Sequence, residues 1–176
     1  MANNVYCTLQ LNYGNAEIET EWRRVFNQLN NLPHQGLEYL DIYRTNADIA
    51  DKEFMDDFIG SQEAIFEGPI TFVSCSEYKY IYEHEITSKW TAPIKFFEEL
   101  ANHLYEWDDQ VELSMTYEDE FYMFAGCVQF AEGHFDQKQE SGGWFKEQLD
   151  REDLDPGDFQ DYVSDKIDTW RYLNET

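Results

Sequence analysis

Asp158, Asp161, Asp165 and Asp168 recur every three or four residues near the end of the chain. On a helix this spacing sets four carboxylates in a row, about 4.5–6 Å apart along the axis at 1.5 Å per residue. Phosphates along one DNA strand follow each other at a comparable interval, with a rise of ~3.4 Å per nucleotide. The chemistry open to such a row is recognition of a basic surface. Aspartate is a poor helix former, so the row is built at some cost in propensity. The other reading of the same row is a solvated helix face. Further acids, Asp108, Asp109, Glu118, Asp119 and Glu120, stand in two short runs upstream.

Other chemistries find less support. His34, His84, His103 and His134 are scattered, and no Cys or His pair has zinc-ligand spacing. Asp150 to Asp158, DREDLDPGD, holds several carboxylates and a glycine but lacks the alternating order and terminal Glu of a calcium loop. It reads either as a solvated turn or as a cation site. Ser141-Gly142-Gly143 is not a nucleophile elbow, and neither a Walker phosphate loop nor a dinucleotide fingerprint occurs. Paired carboxylates are so abundant that any two could be named acid and base, which empties the signal. No catalytic residue is assigned, and no cofactor or metal is expected.

The charge balance bears on partners. The 176 residues carry 37 acidic and 12 basic side chains, a formal net charge of −25. From Glu106 to Glu140 ten acids face Lys138 alone. Solubility needs a net charge of only ~2–8 in a small domain. The excess repels nucleic acid and anionic membranes and steers the chain toward basic clefts or cations. Aromatics make up 17% of the chain, unlike disordered acidic proteins, so a folded core is expected. The three cysteines, Cys7, Cys75 and Cys127, lie in apolar strand-like runs with no close spacing. They are expected to be reduced and buried, not a disulfide framework.

Certain elements must position these groups. Thr87 to Phe130 reads as a helix followed by a hairpin. Thr91 is the expected N-cap, with Pro93 in the first turn. Ile94, Phe97, Ala101 and Leu104 form one apolar helical face. Val111, Leu113, Met115 and Tyr117 alternate with polar residues as a strand, Glu118 to Glu120 turn, and Phe121 to Phe130 return. Upstream, Val5 to Tyr13 alternates as a strand and Ala16 to Leu29 follows as a helix. Leu37 to Tyr43 is a short strand and Asp48 to Ile59 a short helix. Ile65 to Tyr78 and Tyr80 to Thr87 are strand-like. Ala131 to Gly143 reads as a linker, Trp144 to Leu149 as a helical turn or two, and Asp158 to Leu173 as the last helix. Interleaved helices and hairpins favour α+β.

Three stretches carry a resemblance: MANNVYCTLQLNYGN, EITSKWTAPIKFFEEL and FYMFAGCVQF. Together they resemble the YubB-like ferredoxin-fold family of phage and plasmid proteins over roughly residues 1–135. The first is similar to that family's opening strand, the second to its strand, Lys-Trp, Pro and helix, the third to its final Phe-Ala-Gly strand. The resemblance implies a ferredoxin-like sandwich and a mobile-element origin, and supplies no catalytic residues. The expected fold is therefore a ferredoxin-like antiparallel sheet covered on one face by helices, over residues 1–135. Residues 136–176 add an acidic helical extension packed on the same domain.

The first expectation for function is a non-enzymatic inhibitor of a basic host defence protein that binds nucleic acid, of anti-CRISPR or anti-restriction type. It would act by DNA mimicry. The acids named above would replace phosphates, and Tyr105, Trp107 and Tyr122 would add contact area. The alternatives are a general acidic interaction module or homodimer without DNA mimicry, and an enzyme with an unrecognised site. The start lacks a basic, apolar leader pattern, and no apolar run reaches the ~20 residues of a membrane helix. The expected location is the cytoplasm, that of the host cell for a phage protein.

Overall fold

The computed structural model of the chain describes residues 3–30, 64–65, 70–75, 80–152 and 159–172. They form an α+β fold: β1 (Asn4–Tyr13), α1 (Ala16–Asn30), β2 (Ala64–Ile65), β3 (Ile70–Cys75), β4 (Tyr80–Lys89), α2 (Ile94–Tyr105), β5 (Glu112–Asp119), β6 (Phe124–Ala131), β7 (His134–Ser141), α3 (Gly142–Arg151) and α4 (Phe159–Tyr172). The sheet runs β2-β4-β1-β5-β6-β7, with β3 also paired to β4, and every pairing is antiparallel. The segments 37–43 and 48–59, read above as a strand and a helix, lie outside the described residues.

Alternation in β1 decides which face is dry. Val5, Cys7, Leu9, Leu11 and Tyr13 are buried on one side, and Tyr6, Thr8, Gln10 and Asn12 line the other. The dry side meets α1 through Ile18, Trp22 and Val25, and α2 through Phe96, Phe97, Leu100, Ala101 and Leu104. Asn15 starts α1, its side chain accepting the Glu17 N–H at 2.9 Å, while Glu17 and Glu19 complement the helix dipole. Glu21 is buried but matched: Arg24 donates to it from the next turn, and His103 of α2 lies 2.6 Å away. Hydrogen bonding from Arg24 holds its carboxyl below the usual range.

The start of α2 differs from expectation. The helix begins at Ile94 with Pro93 at the N-cap position and no side-chain cap. Thr91 instead offers its carbonyl to the Ser88 hydroxyl at 2.7 Å. Proline has no backbone N–H, so one of the donors otherwise left unpaired at this helix end is absent.

Helices also cover both faces of the sheet, not one. In β6, Val128 and Phe130 point into the core under α1 and α2, while Ala125 and Cys127 point the other way. There they meet Phe145 and Leu149 of α3 and Tyr162, Val163, Ile167 and Trp170 of α4. A strand buried on both faces loses its alternation of apolar and polar residues. The presumed linker after it is the edge strand β7, paired with β6 from His134 to Ser141. It therefore passes through the boundary expected at residues 135 and 136. Its side chains are mostly exposed, with Phe135 packed toward Phe97 at 6.0 Å, which is why it reads as polar.

Cys7 and Cys127 are free and buried. Burial pushes the Cys7 thiol up to about 12, with the Ser88 hydroxyl opposing it. The side chain of Cys75 lies outside the described residues. Gly126, in the Phe-Ala-Gly stretch, faces Tyr117 across the ladder. A Cβ there would fall 2.5 Å from the Tyr117 hydroxyl and from the Lys138 carbonyl, so only glycine lets the tyrosine lie across this strand. Among the described residues no helix is long and apolar enough to cross a membrane.

Candidate functional site

α4 covers the second face of the sheet over β5 and β6, where its apolar stripe Val163, Ile167 and Trp170 is buried. On the polar face of β1 beside it Tyr6 is exposed and Thr8 half-buried. The result is a cleft of about 280 Å³ between α4 and the sheet. Register builds its floor: Tyr6 lies between Thr87 and Glu118, Thr8 between Glu85 and Thr116, and Gln10 between Glu83 and Ser114. Opposite residues on neighbouring strands stand about 4.5–5.5 Å apart. The wall is the stripe Ser164, Ile167 and Asp168 of α4.

Two of the twelve residues read from the sequence as a partner surface, Glu118 and Asp168, line this cleft, and Tyr122 and Asp161 lie near Glu118. Glu118 is half-buried and accepts the Ser164 hydroxyl at 3.3 Å. Burial raises its carboxyl above the usual range, Ser164 opposes the shift, and the Asp168 charge adds to it. Tyr122 stacks edge-on against Phe159 at 5.7 Å, and burial, with the Glu118 and Asp161 charges nearby, raises its hydroxyl. Asp161 and Asp168 are exposed, as is Asp165 on the same helix. Asp158 lies outside the described residues. Lys166, the one lysine of α4, is drawn aside: it donates to Glu152 at 2.8 Å and rests over the Tyr162 ring. Its ammonium group is held by Glu152.

Asp119, expected on that surface, is instead fully buried at the end of β5. Its Oδ1 accepts the backbone N–H of Phe121 and of Met123, both at 3.0 Å, and Asn3 donates to its other oxygen. An inward-facing position of the strand followed by a tight turn needs such an acceptor, and a partner cannot reach it. Glu120 remains exposed and accepts the Asn4 N–H at 3.1 Å.

The other four residues sit elsewhere. Trp107, Asp108 and Asp109 precede β5, whereas Glu118 and Glu120 follow most of it, which separates the groups by roughly 20 Å at ~3.3 Å per residue. Tyr105 is half-buried, edge-on to Phe130 at 5.6 Å, and serves the core. Trp107 is half-exposed and edges on His103. Asp108 caps a turn by accepting the Gln110 N–H at 2.9 Å, and Asp109 is exposed. Sequence reasoning missed Tyr6, Thr8 and Glu83, whose signal was the polar half of the β1 alternation and of its partner β4.

The end of the sheet near Glu120 also stores backbone strain. Trp90 and Tyr122 both adopt left-handed conformations, with φ of 71° and 54°. For bulky residues each costs on the order of 1–3 kcal/mol.

The half-buried Glu118 gives a pH-dependent expectation. Its folded-state value is raised, so the fold favours the protonated form. That contribution is complete below the unfolded value near 4.5 and is lost as pH rises through the folded value. Glu118→Gln is expected to raise the melting temperature at pH 7 relative to wild type, with the gain fading toward pH 4. A constant difference across this range would mean that Glu118 is not held in a desolvated site.

Among the described residues no group of three or more His, Cys, Asp or Glu side chains is placed to hold a metal ion. Comparison with protein-family models, with curated proteins and with solved structures gives no match for this chain.

Proposed function

We propose that the protein is a non-enzymatic inhibitor from a phage or other mobile element, acting on a basic, nucleic-acid-binding host defence protein. In this reading it occupies the partner's nucleic-acid groove as a DNA mimic, in the anti-CRISPR or anti-restriction manner. One observation carries the reading: exposed Asp161, Asp165 and Asp168 line α4 above a cleft that already holds Glu83 and Glu118, while Lys166 is paired away. Such a surface attracts cations. The strand order β3-β4-β1-β5, reached through α1 and α2, supports a ferredoxin-like core of β-α-β-β-α-β type. A ferredoxin-like core is also what the resemblance to YubB-like mobile-element proteins implies. β6, β7, α3 and α4 then extend that core and build the acidic wall.

The test is displacement of labelled duplex DNA from purified defence nucleases and CRISPR effectors by the intact protein. Displacement is expected at low salt and should weaken steeply as ionic strength rises. Asp161→Asn, Asp165→Asn and Asp168→Asn together are expected to leave the fold intact, since the side chains are exposed. They should weaken displacement by roughly 1–3 kcal/mol at low salt. A stable triple variant that displaces DNA as well as wild type would reduce the row to a solvated helix face.

A further inference from the structure

Five large apolar side chains are prominently exposed among the described residues, and four of them gather at one end of the sheet. Phe121 and Met123 are the most exposed, at 59% and 66%. The backbone places them together with Trp90 and Tyr6. Phe121 and Met123 share Asp119, which faces Val5 across the ladder, and Asn3 both contacts Asp119 and accepts the Trp90 N–H at 2.9 Å. The fifth, Trp107, precedes β5 and lies at the opposite end.

This end is held rather than slack. The buried Asp119 pins the turn, the Gly142 N–H donates to the Met123 carbonyl at 2.9 Å, and a side chain at Gly142 would collide with the Tyr122 carbonyl. Trp90 and Tyr122 are kept in left-handed backbone conformations within it. A fold that holds this turn by hydrogen bonds from the Phe121, Met123 and Gly142 N–H groups, yet leaves Phe121 and Met123 in water, presents them from a fixed backbone. Rigid apolar groups lose little freedom on binding, which favours their use as interface anchors.

Charge selects the occupant. Glu120 precedes Phe121 and is exposed, and Glu118 and Asp161 act on Tyr122 from the cleft side, with Lys146 over the Phe159 ring beyond it. Tyr6 belongs both to this end and to the cleft lining. A second copy of so acidic a chain would bring like charge against this rim. We propose that Phe121, Met123 and Trp90 are the apolar anchor of the partner interface, and that their occupant is a basic protein surface carrying apolar side chains between its lysines or arginines. This rests on the reading of the acidic cleft as a partner surface and adds to it: cationic groups enter the cleft, and apolar ones cover the end of the sheet. The interface is then read partly by shape, as naked charge mimicry is not.

Two synthetic peptides of equal length and charge separate the contributions, one of lysine and leucine, the other of lysine and serine. Titration calorimetry with the full chain should show the lysine–leucine peptide binding at least tenfold tighter. Phe121→Ser with Met123→Ser should abolish that difference while leaving the lysine–serine peptide unchanged. The substituted side chains are exposed, and circular dichroism and melting should match wild type. Undiminished preference for the leucine peptide in the double variant would overturn the anchor while leaving the acidic reading standing. If instead the Asp161, Asp165 and Asp168 triple Asn variant bound both peptides like wild type, the acidic reading itself would fail, and the anchor with it. Sedimentation showing a wild-type dimer dissolved by the double variant would assign the patch to a second copy and overturn the proposal.

Discussion

Phe97→Ala is expected to lower the unfolding free energy by about 3–5 kcal/mol, the usual cost of removing a fully buried phenylalanine ring. Phe97 is completely buried on α2, and its ring reaches Phe135 of the edge strand at 6.0 Å. Its loss would open a cavity beneath the sheet and also loosen the contact that ties β7 to the main core. Against a total stability of roughly 5–15 kcal/mol the change is large. Phe97→Leu, which keeps much of the volume, should cost less than ~2 kcal/mol. Lys95→Ala, two residues earlier on the same helix and exposed, should lie within about 0.5 kcal/mol of wild type. Urea titrations followed by circular dichroism measure all three. An unchanged midpoint for Phe97→Ala would contradict the packing of α2 on this sheet.

Asp119→Ala should be the most damaging change among the acidic residues, at roughly 2–4 kcal/mol, because three donors lose their acceptor together. The donors are the Phe121 and Met123 backbone N–H groups and the Asn3 side chain. Asp119→Asn keeps one carbonyl oxygen for the two backbone donors but sets an amide against Asn3, so an intermediate loss is expected. Neither variant should behave like the exposed Asp161, Asp165 and Asp168, whose removal relieves like-charge repulsion on α4. Chemical denaturation and hydrogen exchange at Phe121 and Met123 report the result. If Asp119→Ala unfolds at the wild-type midpoint, the carboxylate is not what holds this turn. The comparison also matters for function: loss of partner binding on mutating Asp119 would have to be corrected for lost stability before being attributed to charge.

The elements with one dry face were legible without coordinates. β1 alternates cleanly because one side meets α1 and α2 while the other carries polar residues, and α2 shows a continuous apolar face because it lies on a single sheet surface. The chain's acidity was equally plain, since charge is a sum over residues and does not depend on where they are placed. What went unread was the surroundings of β6, itself expected as a strand, and the strand character of β7. Ala125 and Cys127 of β6 are as buried as Val128 and Phe130, so period two vanished and the second helical layer went unforeseen. β7 is an edge strand with water on most of its side chains, and it looked like a linker.

The site divides along the same line. That α4 is amphipathic and carries Asp161, Asp165 and Asp168 follows from helical spacing alone. That Glu118 joins this row follows only from α4 crossing β5, and that Tyr6 and Glu83 join it follows only from the register of β1 between β4 and β5. The local sequence could not distinguish Glu118, Asp119 and Glu120, three consecutive acids. Strand alternation turns Asp119 inward to satisfy the turn and leaves its two neighbours outside. A run of like charges fixes how much charge a surface can carry. The pleat of the strand and the helix packed beside it decide which of those charges a partner can reach.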